Sequence, residues 1–158
     1  DLTYVVMDNR VYGMTKGQPS PTTEPDWDSA LTPGGTGLRP FNPLVIALAS
    51  GANFIARGFS GDPSACAQLI ATAVKHPGFS FVEILSPCVT FRPDQREWKT
   101  LARPAPVQPT DDPARAARRL MTDDGFNCGV LYAGAREPYR LERAGNTAIE
   151  DIEREFVL

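Results

Sequence analysis

The chain has 158 residues, a net charge of −3 and an apolar fraction of 42%, enough for one buried core and ordinary for a soluble globular protein. It has no basic block to hold a nucleic-acid backbone, and its longest apolar run, residues 44 to 49, is far too short to cross a bilayer, so no nucleic-acid and no membrane partner is expected. Three cysteines, Cys66, Cys88 and Cys128, are an odd number without tight spacing, which argues for a reducing, cytoplasmic compartment over a disulfide framework.

Thr3 to Met7 is apolar almost throughout and rich in β-branched and aromatic residues, the pattern of a strand buried on both faces. Asp8-Asn9 and Gly13 mark the turn that ends it. Residues 17 to 43 carry six prolines and no periodicity; a loop of this length inside one domain is usually functional or disordered. Trp27, Leu31 and Leu38 favour an ordered loop packed on something. Asn42-Pro43 supplies a cap and a first-turn proline for a short helix, Leu44 to Ser50, apolar on every side and expected to be buried.

Ala52 to Ala56 reads as a second strand, ended by Arg57-Gly58. Asp62-Pro63 opens a helix with Cys66, Leu69, Ile70, Ala73 and Val74 on one face, and Phe79 to Leu85 is a third strand. Beyond Pro93 the chain turns polar around Trp98 and Leu101, and prolines 104, 106 and 109 make a stiff linker. Asp112-Pro113 caps a helix over Ala114 to Met121, with Arg115, Arg118 and Arg119 on its polar side. Asn127 to Tyr132 reads as a short strand. Thr147-x-x-Glu150 is a capping box, followed by a final helix with an Ile149, Ile152 and Phe156 stripe. His76, the single histidine, falls at a helix C-terminus with no acid–base partner, and no Ser/His/Asp or Cys/His pairing is available, so no catalytic side chain is assigned.

The string Asp8-Asn-Arg-Val-Tyr-Gly-Met-Thr-Lys-Gly-Gln-Pro-Ser-Pro-Thr-Thr23 resembles the thiamine-diphosphate site of the 2-oxoacid:ferredoxin oxidoreductases, in their β subunit. Phe41-Asn-Pro-Leu-x-x-Ala47, Phe54-Ile-Ala-Arg-Gly-Phe59 and Ile84-Leu-Ser-Pro-Cys88 follow in the family's order. The likeness covers residues 2 to 91 and is most specific in the first segment. It implies an α/β fold: the later part of a Rossmann-like thiamine-diphosphate-binding domain over residues 1–93, with a mostly parallel sheet, and a C-terminal extension over 94–158 with a linker and two helices. The family's paired-cysteine and Gly-Asp-Gly-Asp segments are not in the sequence, so a C-terminal fragment is expected.

By itself Asp8-Asn9 reads as a plain turn. The resemblance implies instead that the Asn9 amide oxygen and the Val11 carbonyl are ligands of the Mg²⁺ that chelates the diphosphate, a hard cation that takes oxygen. It assigns Gly13 and Met14 to cofactor contact, where a residue without a Cβ lets backbone amides approach phosphate. Lys16 corresponds to a substrate-facing position: members acting on pyruvate tend to have glycine there, and those acting on 2-oxoglutarate or broader 2-oxoacids tend to have lysine. Cys88 matches one of the four thiolates that hold a [4Fe–4S] cluster; Cys66 and Cys128 read as structural thiols.

The implied reaction is oxidative decarboxylation of a 2-oxoacid, 2-oxoglutarate by preference, to its acyl-CoA. Coenzyme A takes the acyl group, electrons pass to ferredoxin, and an α subunit completes the enzyme. Three alternatives stay open at this point: a non-redox thiamine-diphosphate decarboxylase, a pyruvate-type member, and a catalytically incomplete remnant serving as a subunit-interaction module. The chain by itself is expected to show neither turnover nor a brown cluster chromophore.

Overall fold

In the computed structural model of the chain, residues 1–135 are described. The expected final helix, with its Thr147 to Glu150 capping box, lies outside those residues. Strand β1 (Leu2–Asp8) and strand β2 (Phe54–Phe59) flank strand β3 (Phe79–Leu85), both parallel to it. Parallel neighbours need a long crossover, and helix α2 (Pro63–Lys75) supplies it between β2 and β3. Helix α1 (Pro43–Ala49) precedes β2. Both helices start where an Asx cap meets proline: Asn42 accepts from the Val45 N–H, and Asp62 from the Ala65 N–H. These bonds satisfy donors that the first helical turn leaves free.

Downstream, a 3-10 turn over Pro93–Glu97 leads into helix α3 (Trp98–Leu101) and the two-residue strand β4 (Arg103–Pro104). Helix α4 (Pro113–Thr122) is capped by Asp112, which accepts from Ala114 and Arg115 N–H groups. Strand β5 (Asn127–Ala133) then runs antiparallel to β2 and parallel to β4, giving the order β1-β3-β2-β5-β4. The sheet is mostly parallel, with the antiparallel step at β2–β5. The segment expected as an extension therefore adds strands to the same sheet.

Side chains alternate across a strand, so β2 and β3 feed two cores. Ile55 and Phe81 point to one face, with Leu44 and Ala47 of α1, Ala116 and Leu120 of α4, and Tyr132 of β5. Phe54, Ala56, Val82 and Ile84 point to the other, under Cys66 and Ala73 of α2. The first of these cores is complete only because α4 and β5 return to it.

Four expectations are corrected. Strand β1 is not buried on both faces: it lies at the sheet edge, and Leu2, Tyr4 and Met7 are 61%, 55% and 71% exposed. Helix α1 buries Leu44 and Ala47 but leaves Ile46 half exposed, and Val74 of α2 also faces outward. Strand β2 does not stop at Arg57-Gly58. Arg57 is buried inside it, opposite Glu83, and the pair's attraction makes a charged residue tolerable in a strand interior.

Candidate functional site

The turn after β1 is built from its own polar side chains. Asp8 Oδ1 accepts from the Arg10 N–H at 2.9 Å and from the Thr22 hydroxyl at 2.7 Å. Asn9 Oδ1 accepts from the Val11 N–H at 3.1 Å, and the Val11 carbonyl accepts from the Gly13 N–H at 3.1 Å. Arg10 takes φ 50°, the left-handed region that non-glycine residues seldom occupy. Thr23 holds this bend, its hydroxyl donating to the Arg10 carbonyl at 2.7 Å. Tyr12 and Gln18 then pair as a minimal hairpin with Lys16 at its tip, at φ 73°.

The long loop is ordered through charge and aromatic contact. Glu24 accepts from Arg10 at 2.8 Å and from Arg92 at 2.9 Å. The Arg10 guanidinium lies 4.9 Å from the ring centres of both Trp98 and Phe126, and that of Arg92 lies 4.5 Å from the centre of Trp27. Trp27 therefore packs as expected, whereas Leu31 and Leu38 remain exposed. Burial alone would raise the Glu24 carboxyl, but the two guanidiniums outweigh it and hold it below its ordinary value. A depressed carboxylate contributes stability above its unfolded pKa and loses it as pH falls through the folded one. Proteolytic nicking of the loop over residues 17–41 should accordingly rise as pH drops below about 4.3. The Glu24→Gln variant should show no such acid limb, and an identical pH profile in both proteins would contradict this role.

Cys88 comes to the same place from the end of β3. A Cβ placed on Gly13 would stand 3.0 Å from Cys88 Sγ, so glycine at this position makes room for the sulfur as well as baring the loop backbone. Between Cys88 and the turn lies the carboxamide of Gln95. It accepts from the Cys88 N–H at 2.7 Å and donates to the Asn9 carbonyl at 2.7 Å. Arg10, Glu24, Arg92 and Gln95 were not visible as site residues in the sequence, because only folding brings residues 10, 24, 92 and 95 together and no motif spacing signals it.

Asn9, Val11, Gly13 and Met14 line one groove of about 1140 Å³, which Tyr4, Val6, Phe41, Ile46 and Phe81 also line. Lys16 is placed elsewhere: it is exposed and lines a neighbouring cavity of about 790 Å³ with Trp27, Phe91 and Trp98. The side-chain amide oxygen of Asn9 and the main-chain carbonyl of Val11 suit a hard cation such as Mg²⁺, which takes six ligands, and would supply two of them. An iron–sulfur cluster is a poorer match to these residues alone. Among the described residues no three His, Cys, Asp or Glu side chains are grouped to hold a metal. Cys66 donates its thiol to the Phe59 carbonyl and burial pushes it up, and burial pushes Cys128 up to about 11. His76 is taken up in packing against Phe54, with Nε2 3.1 Å from the Gly134 carbonyl. No described helix is long and apolar enough to cross a membrane.

Comparison with known proteins identifies the family of this fold. Residues 1–84 match the family described as "Thiamine pyrophosphate enzyme, C-terminal TPP binding domain". The beta subunit of 2-oxoacid:ferredoxin oxidoreductase from Saccharolobus solfataricus is 38% identical over 91 residues, covering 58% of this chain and 30% of that protein. The beta subunit of 2-oxoacid:ferredoxin oxidoreductase 2 from Aeropyrum pernix is 33% identical over 148 residues, covering 84% of this chain and 48% of that protein. A 2-oxoglutarate:ferredoxin oxidoreductase from Magnetococcus marinus, solved with 2-oxoglutarate, coenzyme A and succinyl-CoA bound, superimposes with a TM-score of 0.76 at 38% identity, over 86% of this chain and 48% of that one. The chain thus spans less than half the length of the relatives it matches. Over the span it does share, the chain belongs to the thiamine pyrophosphate enzymes and carries their C-terminal TPP-binding domain.

Proposed function

We propose that this chain works as β-subunit polypeptide of a cytoplasmic 2-oxoacid:ferredoxin oxidoreductase, converting a 2-oxoacid, 2-oxoglutarate by preference, to its acyl-CoA with electrons delivered to ferredoxin. An α subunit and coenzyme A belong to the same reading. The observation that carries it is the single turn at the end of β1, where Asn9 Oδ1 and the Val11 carbonyl sit beside Gly13 and Cys88 packs against the same glycine. Such a turn at the carboxyl end of a parallel strand is where open α/β sheets place their ligands. The 2-oxoglutarate relatives and the solved 2-oxoglutarate complex support the substrate class.

In this reading Asn9 and Val11 hold Mg²⁺, and the backbone around Gly13 and Met14 borders the diphosphate. Thiamine diphosphate, once bound, supplies the electron sink for decarboxylation, and the protein supplies position and electrostatics. Cys88 is offered as one thiolate of a [4Fe–4S] cluster. Four are required, so the others would come from polypeptide beyond the described residues. The groove's apolar side, with Tyr4 and Met7 exposed beside it, likewise fits a site walled in by further polypeptide.

Calorimetric titration of the assembled enzyme with thiamine diphosphate and Mg²⁺ tests the reading. Loss of a residue that only hydrogen-bonds a metal ligand weakens metal binding about 10–100-fold, so Asn9→Ala, which removes a ligand itself, should weaken binding by about 100-fold. Unchanged affinity in Asn9→Ala would remove Asn9 from the metal site and the central support with it.

A further inference from the structure

Gln95 is fully buried, with no exposed surface. A buried carboxamide must find partners for both its ends, and Gln95 finds them on two separate pieces of the site. Its orientation follows from chemistry: the Cys88 N–H can only donate and the Asn9 carbonyl can only accept, so Oε1 faces Cys88 and Nε2 faces Asn9. Neither close isostere does both at neutral pH. An ionised glutamate accepts only, and a leucine does neither. The adjoining residues reinforce the clasp, since the Arg92 N–H donates to the Cys88 carbonyl at 2.8 Å and the Arg92 guanidinium reaches the Arg10 carbonyl at 3.4 Å.

We infer that Gln95 is a positioning residue that locks the Asn9–Val11 turn and Cys88 into one rigid unit, so that a ligand held by the turn is felt at Cys88 and the reverse. The inference rests on the cofactor assignment above for its ligand, but the lock itself is a property of the fold. Any such coupling is reciprocal.

Amide hydrogen exchange on the full 158-residue chain reads the lock directly, with Gln95→Glu and Gln95→Leu as variants. Ser80→Ala is the control: Ser80 is equally buried, with one hydrogen bond to the Ala73 carbonyl away from the site. Leaving the Asn9 carbonyl or the Cys88 N–H without a partner should speed exchange at Val11, Gly13 and Cys88 together by about tenfold in both Gln95 variants. Ser80→Ala should leave these amides at wild-type rates. Acceleration confined to Cys88, or matched by Ser80→Ala, overturns the inference. If neither Gln95 variant folds, the wild type decides: in mild denaturant the Val11 and Cys88 amides must open with one common free energy, and separate openings overturn it. A second arm adds thiamine diphosphate with Mg²⁺ to the assembled enzyme, which should slow Cys88 exchange in the wild type and leave Cys88 unaffected in Gln95→Glu. Failure of the assembled wild type to bind would count against the proposed function, while the exchange rates without ligand still decide the role of Gln95.

Discussion

Replacing Arg57 with methionine is expected to lower the unfolding free energy by about 3–5 kcal/mol, the usual cost of removing one partner from a buried ion pair. The Arg57 side chain is 6% exposed, and those of Glu83 and Asp123 are 4% and 10% exposed. Arg57 Nε donates to Glu83 at 2.6 Å, and Nη1 donates to Asp123 and, at 3.4 Å, to the Asn127 carbonyl. Burial by itself would lower the Arg57 pKa, but the two carboxylates outweigh it and keep the guanidinium charged. One side chain thus joins β2, β3 and the link between α4 and β5. Without it two carboxylates stay buried with no cation. The measurement is urea unfolding of Arg57→Met beside the triple variant that also carries Glu83→Gln and Asp123→Asn. The triple variant should recover much of the loss, because its remaining groups are neutral. A change below about 1 kcal/mol in Arg57→Met, the range of an exposed pair, would show that the triad carries little of the fold's stability.

Lys16→Gly should shift substrate preference away from 2-oxoglutarate and towards pyruvate while making the chain slightly more stable. Lys16 sits at φ 73°, where a side chain costs about 1–2 kcal/mol that glycine does not incur. A lysine kept in that conformation at an exposed hairpin tip needs a reason beyond folding, and recognition of a second substrate carboxylate would be one. A hydrogen bond to a charged group contributes about 1.5–3 kcal/mol, so the ratio of kcat/KM for 2-oxoglutarate over pyruvate should fall by about 10- to 100-fold in the assembled enzyme. Because the substitution relieves backbone strain, loss of activity by misfolding is not an available explanation. An unchanged ratio would mean that Lys16, which lines the cavity beside the groove rather than the groove itself, takes no part in selecting substrate.

Local signals were the most legible part of the chain. Asn42-Pro43, Asp62-Pro63 and Asp112-Pro113 each start a helix within a residue of the expected position, because a cap and a fixed proline φ act over a single turn. The α/β alternation of residues 52 to 85 was readable for the same reason. What failed was everything that depends on which neighbour a strand meets. β1 has the composition of a central strand but lies at an edge, and Arg57 resembles a strand end until Glu83 stands opposite it. The antiparallel return of β5 has no signature in residues 127 to 133, since a short half-buried strand reads alike in either direction.

The same division runs through the site. From sequence alone came the order strand, turn, capped helix, strand, capped helix, strand and cysteine, together with the oxygen-bearing turn at Asp8 to Val11 and the thiamine-diphosphate resemblance that it carries. Those features are short-range: each is set by residues a few positions apart, whose sterics and hydrogen bonds are already decided in the chain. Tertiary structure decided that Cys88 lies against Gly13, that Gln95 bridges Cys88 to Asn9, and that Glu24 is clasped by Arg10 and Arg92. Apart from Gln95 to Cys88, seven positions apart, these contacts join residues 14 to 86 positions apart. They exist only because parallel pairing with β3 brings the ends of β1 and β3 side by side, with Asp8 in register with Leu85.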